Sequence, residues 1–271
     1  MKHIVCYSGG HSSALVAIEV ARKYGDSNTI LLNHDISASV EDADVKRFKR
    51  EVSEYLNIPI TYANIKGLSV ESLPDQFDVC IEAKAFKVGN GSELCTNRLK
   101  TKPFQDWLKL NDPEKGNIIY YGFDMGERSR IQRRSSIMSE MGYRTDYPLA
   151  LWADRTIHST EEIGIKRPLS YSQFKHANCI GCLKAGKLHW YITYCNRPDI
   201  FEKAKAAEDA IGYTIIASDS MRELEQEFSV LKAAGVVATE HEGGIAFANR
   251  ARKVISHFEA GDMFLPCECV I

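Results

Sequence analysis

The chain has 271 residues, with hydrophobic residues at 44%, charged residues at 26%, 18 Gly and 8 Pro. That composition excludes disordered, collagenous and coiled-coil classes, and the length allows one large domain or two small ones at roughly 150 residues each. Thirty-four basic against 36 acidic residues give a net charge of −2, so any contact with nucleic acid rests on a local patch rather than on general basicity.

His3 to Tyr7 is an apolar, β-branched run that stops at Ser8-Gly9-Gly10, which predicts a buried strand ending in a turn. His11 to Tyr24 follows with helical spacing of Leu15, Ile18 and Ala21. Thr29 to Asp35 reads as a second strand. Glu41 to Leu56 reads as a second helix, with Val45, Phe48, Val52 and Tyr55 on one face. Ile60 to Ile65 is a third strand, Thr96 to Leu110 a helix despite Pro103, and Asn117 to Phe123 a fourth strand before a basic helix. Strand-helix alternation of this kind predicts a mainly parallel, doubly wound α/β sheet, whose ligands sit at the carboxyl ends of the strands. From about Tyr147 the pattern turns mostly helical. The predicted division is residues 1–150 as an α/β domain and 151–271 as a helical, CxxC-containing portion packed on it.

The strand-SGGHSS-helix arrangement carries the strongest chemical signal. Gly9 and Gly10 let the backbone approach a ligand closely, and the helix behind them offers unpaired N–H groups and the positive end of its dipole. Ser8, Ser12 and Ser13 add hydroxyl donors, and His11 stands among them. This is a cradle for phosphate or pyrophosphate. The turn has neither the Gly spacing nor the Lys of a Walker loop. Asp35 closes the second strand. Arg128, Arg130, Arg133 and Arg134 place four guanidinium groups in seven residues, with Glu127 one helical turn before Arg130.

Eight Cys in a chain of this size are too sparse for a secreted disulfide scaffold. The MKHIVCYSGG start has no signal-peptide pattern, and no stretch reaches the ~18 apolar residues of a membrane span. A cytoplasmic protein without membrane contact is therefore expected, in which clustered thiols hold metal. Cys179 and Cys182 form C-x-x-C in a Gly-containing stretch. Cys95 heads a predicted helix, and Cys267 and Cys269 stand near the end of the chain. The expected set is Cys95, Cys179, Cys182 and one of Cys267 or Cys269, holding either a [4Fe–4S] cluster or zinc. Cys6, Cys80 and Cys195 are read as incidental.

The SGGHSS turn resembles the SGGxDS loop of the PP-loop ATP pyrophosphatase superfamily. Further segments resemble its phosphoadenosine phosphosulfate (PAPS) reductase-like branch, of bacterial and phage type. They are Cys95-Thr96 with Leu99-Lys100 and Pro103-Phe104, then Gly122, Glu127 and Arg130, then Tyr147-Pro148-Leu149. The CxxC, Trp190 and Pro198 to Ala204 follow in the same order. The resemblance implies an adenine nucleotide alpha hydrolase-like fold and an adenine nucleotide bound through Ser8, Gly9, Gly10, His11, Ser12, Ser13, Asp35, Gly122, Arg130 and Arg133. Ser12, Glu127 and Arg130 would then act in catalysis, with ATP and Mg²⁺ as cofactors, and the sulfur-moving relatives tilt the metal towards iron. Ser12 stands where the superfamily loop has Asp, and it supplies no charge for magnesium.

Three functions follow as expectations. The first is ATP-dependent adenylation of an acceptor (tRNA, DNA or a small molecule), linked to sulfur transfer and releasing AMP and pyrophosphate. The second is a thiol-dependent reductase of PAPS or adenosine phosphosulfate (APS). Such reductases use a Cys in an ECG[LI]H element, whereas this chain has ECVI at Glu268 to Ile271. The third is a nucleotide- or cluster-binding protein without turnover. Oligomeric state is not written in the sequence, with a homodimer as one allowed assembly.

Overall fold

The structure, a computed structural model, describes residues 1–65, 68–89 and 91–260. In chain order the elements begin with β1 (His3–Cys6), α1 (His11–Tyr24), β2 (Thr29–Asn33), α2 (Ala43–Leu56), β3 (Ile60–Tyr62) and α3 (Gln76–Ala83). A single turn α4 (Leu94–Thr96) precedes α5 (Lys102–Asn111), β4 (Ile118–Tyr120), α6 (Arg128–Glu140), β5 (Arg144–Asp146) and α7 (Pro148–Leu151). The rest is helical: α8 (Lys187–Asn196), α9 (Pro198–Ile211), α10 (Met221–Ala233) and α11 (Gly244–Glu259).

The strands make one sheet in the order β3-β2-β1-β4-β5, with every neighbouring pair parallel. The register sets Val5 beside Leu31 and Tyr120, and Ile4 beside Ile30 and Ile119. Because side chains alternate across a strand, these rows point to opposite faces. Val5, Leu31 and Tyr120 pack with Leu15 and Ile18 of α1 and Phe48 and Val52 of α2. Ile4, Leu32 and Ile119 pack with Phe104 and Leu108 of α5 and Met138 of α6. Both faces are thus covered, which is why the central strands read as continuous apolar runs rather than alternating ones. The fold is a doubly wound α/β sheet with a helical C-terminal part. Among the described residues, no helix is long and apolar enough to cross a membrane.

By internal contacts the chain divides into two units. One comprises Met1–Leu73 with Asn97–Tyr171, the sheet and its covering helices. The other comprises Pro74–Thr96 with the described part of Ser172–Ile271. Its core is aromatic: Trp190 and Tyr191 of α8, Phe201 of α9, Phe228 of α10 and Phe247 of α11 are all buried. Tyr191 stacks against Phe247 with centroids 5.3 Å apart and meets Phe228 edge-on at 5.4 Å.

Several elements differ from their sequence expectation. The helix expected from Thr96 is a π-type turn over Asn97–Thr101 that passes into α5. Pro103 lies in the first turn of α5, where its missing N–H leaves no helical bond unmade. The helix expected from Glu41 starts at Ala43, because the Asp42 carboxylate accepts from the Asp44 N–H at 2.7 Å and caps it. The short α3 and the Arg-Thr-Asp strand β5 lacked a periodic signal.

Asp75 shows how the second unit is pinned. Its carboxylate, 1% exposed, accepts from the Phe77 and Asp78 N–H groups at 2.8 and 3.0 Å, while the Asp78 side chain accepts from the Asp75 N–H. Lys203 Nζ of α9 lies 2.8 Å away. Burial alone would raise this carboxyl, but the Lys203 ammonium and the amide donors outweigh it and hold its pKa low. A depressed folded-state pKa contributes stability above the unfolded value, and that stability is lost as pH falls. Urea denaturation should therefore show stability declining below a pH of about 4, with Asp75→Asn losing that acid dependence. Asp75→Ala should cost about 2 kcal/mol at neutral pH, read from the same curves.

Candidate functional site

After β1 the chain makes its turn under steric pressure from two sides. Gly9 is buried at φ +84°, a left-handed conformation that favours glycine, and a Cβ there would stand 2.7 Å from Cγ and Cδ of Lys49. On the other side Gly122, just past β4, lies against the same turn. A Cβ on Gly122 would stand 3.0 Å from Ser13 N and 3.1 Å from the Ser12 carbonyl carbon. Gly10 occupies the N-cap position of α1 and brings no side-chain oxygen to its first-turn amides. Ser13 Oγ donates to the Gly10 carbonyl at 2.8 Å and Ser8 Oγ to Ser13 Oγ at 3.2 Å, while Ser8 and Ser12 are exposed. The first amide is already engaged: the His11 N–H donates to the Tyr171 hydroxyl at 3.0 Å.

A strap from residue 156 to 171 runs along α1 from Glu19 to its N-terminal end at His11. Glu19 Oε1 accepts from the N–H groups of Thr156 and Ile157 at 2.5 and 2.8 Å. The Thr160 N–H donates to His11 Nε2 at 3.3 Å, so the neutral His11 ring carries its proton on Nδ1. Burial, reinforced by Arg167 and opposed by Glu161, lowers the His11 pKa and favours that neutral form.

At the end of β2, Asp35 is buried rather than open. Its backbone N–H donates to Asn64 Oδ1 at 2.8 Å, and Oδ1 lies 3.7 Å from both Lys46 Nζ and Lys49 Nζ. Glu41 completes the group, 2.8 Å from Lys49 and 3.5 Å from Lys46. Sequence reasoning singled out Asp35 but passed over Glu41, Lys46 and Lys49. Lys46 and Lys49 at i, i+3 on the face that carries Val45 and Phe48 were the available signal.

Beyond β4, Glu127 pairs with Arg130 through Oε1 and accepts from the Asp124 N–H through Oε2 at 3.2 Å. The Arg130 guanidinium lies 4.4 Å from the centre of the Phe123 ring, and that of Arg134 lies 5.4 Å from Tyr121. Phe123, Tyr121 and Tyr147 form a triangle of near-parallel rings with centroids 5.7 to 6.2 Å apart. Arg128 and Arg133 are exposed on α6. Gly122 is thus packed on the turn itself, while Glu127 is occupied by its cap and its ion pair.

The thiols divide between the units. In the first, burial pushes Cys6 up to about 12, which keeps it a thiol. Cys95, Cys179 and Cys182 fall in the second. There the C-I-G-C loop is gripped at successive backbone groups: Gln76 Nε2 donates to the carbonyls of Ile180 and Gly181 at 2.8 and 3.1 Å. The Cys182 N–H donates to His189 Nε2 at 3.3 Å, and His189 Nδ1 donates to Glu240 Oε1 at 3.1 Å. Gly181, buried at φ +69°, has Ile200 2.7 Å from where a Cβ would be. Lys184, two residues past this loop, pairs with Glu93, two residues before Cys95, at 3.4 Å. Among the described residues no three Cys, His, Asp or Glu side chains stand together as a metal-holding group. Cys267 and Cys269 lie outside the described residues.

The two sides of the turn make separate predictions. Gly122→Ala should push the Ser12–Ser13 backbone aside; if the turn is a phosphate cradle, as its sequence suggests, tripolyphosphate binding measured by calorimetry should weaken about tenfold or more. Tyr171→Phe removes a competing oxygen from the His11 amide, so it should tighten tripolyphosphate binding about two- to fivefold. No family model, no curated protein and no solved structure matches this chain.

Proposed function

We propose that the chain is a PAPS reductase-like PP-loop protein that binds ATP at the Ser8–Ser13 turn and adenylates an acceptor, in a sequence linked to sulfur transfer. The observation that carries the reading is the turn itself, a strand-to-helix loop whose backbone is brought close to its neighbours at Gly9 and Gly122. A phosphate chain needs such a surface of backbone amides at a helix N-terminus, and the exposed Ser8 and Ser12 hydroxyls add donors.

In this reading the amides of the first turn of α1 hold the β and γ phosphates. An acceptor oxygen attacks the α phosphorus, the bond to the β phosphate oxygen breaks, and pyrophosphate leaves. A sulfur nucleophile then takes the acceptor carbon and releases AMP. Arg130, with its side chain 62% exposed and the Glu127 carboxylate as its ion partner, would turn towards developing phosphate charge. Glu127 orients Arg130 rather than moving a proton. Ser12 supplies a hydroxyl, so a Mg²⁺ ion would be carried by the phosphates themselves. Asp35, buried with Lys49 and facing the partly exposed Lys46, fits a role beneath the site rather than an open contact to ribose.

The gripped C-I-G-C loop fits one half of a thiolate site, with Cys95 in the same unit. The described residues do not supply a complete set, so no step above runs through a metal. A [4Fe–4S] cluster or zinc there would require a tail thiol, from Cys267 or Cys269.

Incubation of the protein with α-labelled ATP and candidate acceptors (tRNA, DNA, small carboxylates or amides) should yield AMP and pyrophosphate. Gly9→Ala should abolish that yield. Absence of adenine-nucleotide binding at millimolar concentration would overturn the reading, and thiol-dependent sulfite release from PAPS would replace it with the reductase. Anaerobically purified protein should be brown with broad visible absorption and should contain iron; colourless protein loaded with zinc would assign the thiols to a zinc site instead.

A further inference from the structure

We propose that Lys49 is the positioning residue of the Ser8–Ser13 turn, tying the shape of that turn to the acidic end of β2; this rests on the turn being the phosphate cradle. Lysine is almost never fully buried unless paired, yet Lys49 is 2% exposed. Its aliphatic stem lies directly under Gly9, at a distance that leaves no room for a Cβ. Its ammonium reaches past the turn to Glu41 Oε1 at 2.8 Å and Asp35 Oδ1 at 3.7 Å. Its own backbone carbonyl accepts from the Tyr7 hydroxyl at 3.2 Å, which fixes α2 to the end of β1.

The group is balanced, with two carboxylates and the two ammoniums of Lys46 and Lys49. Lys46 is partly exposed, while Asp35, Glu41 and Lys49 are sealed, and Glu41 Oε2 has no hydrogen-bond partner. For stability alone an apolar residue of similar volume would serve as well or better than a buried ion group. What a leucine could not do is fill the space under Gly9 while being held at its far end by two fixed charges. A stem anchored at its tip resists the sideways shift that would let Gly9 relax. Lys49 touches no ligand in this account. It sets where the cradle amides point, and a change at Asp35 reaches the cradle through it.

The test compares Lys49→Met, which keeps an unbranched stem and removes the anchor, with Glu41→Gln and with the double variant. The readouts are amide hydrogen exchange over residues 8–13 without ligand, calorimetric binding of ATP and tripolyphosphate, and urea stability. Lys49→Met should speed exchange in the turn about tenfold and weaken both ligands by a similar factor. The double variant removes one charge of each sign, so it should recover stability while the turn stays loose and binding stays weak. Recovery of wild-type exchange and affinity in the double variant would reduce Lys49 to a space-filling residue and overturn the proposal. If both Met variants fail to fold, Glu41→Gln decides: it should speed exchange in the turn by about threefold without affecting β2 or β4, and wild-type exchange there would refute the anchoring role. A wild-type protein that binds neither probe would remove the phosphate reading, while the exchange data would still judge Lys49.

Discussion

Close approach of backbone to its surroundings at two glycines governs this molecule's candidate site. The turn after β1 is bounded by the Lys49 stem under Gly9 and by Gly122 against Ser12 and Ser13. Neither boundary could exist with a side chain in place. The parallel sheet explains why the boundaries meet there: β1 is central, so β2 and β4 flank it, and the segments leaving all three emerge at one edge. Helix α2 is delivered to one side of the turn and the end of β4 to the other.

That much was legible in the sequence, because glycines after an apolar strand have few other uses and because buried strands and amphipathic helices carry distinct periods. Gly122 was identified through a pattern of spaced residues, and the structure supplies its physical reason. The buried charge group was not legible. Lys46, Lys49 and Glu41 look like ordinary helix-surface residues until the fold folds Asp35 in among them, and no periodicity encodes a pairing between a strand end and the second turn of a helix. Strand β5 escaped for a related reason, since Arg-Thr-Asp has no apolar signature and is a strand only because β4 lies beside it.

The second unit uses the same device in a different chemical setting. Gly181 is pressed by Ile200, Phe77 and Trp190, and the carbonyls and amide around it are held by Gln76 and His189. Glu240 fixes the tautomer of His189 by accepting a hydrogen bond from its Nδ1–H, and its own carboxyl, which burial would raise, is held low by that bond and by the Lys175 N–H. A C-x-x-C spacing announces two thiols. Only the packing shows that the chain between them is gripped at its backbone, and that the second Cys is held there through its N–H.

On the proposed phosphate reading, the contact between the Tyr171 hydroxyl and the His11 amide would give the turn a particular kind of selectivity. Its leading donor is never offered bare to solvent, for a neutral phenol oxygen already holds the seat. An incoming group must outweigh that contact to take the seat, and the charge-assisted bond from an anionic oxygen does so by a wider margin than the bond from a neutral one. Discrimination between charged and uncharged guests can in this way be exercised by a single displaced oxygen, without any cation in the loop.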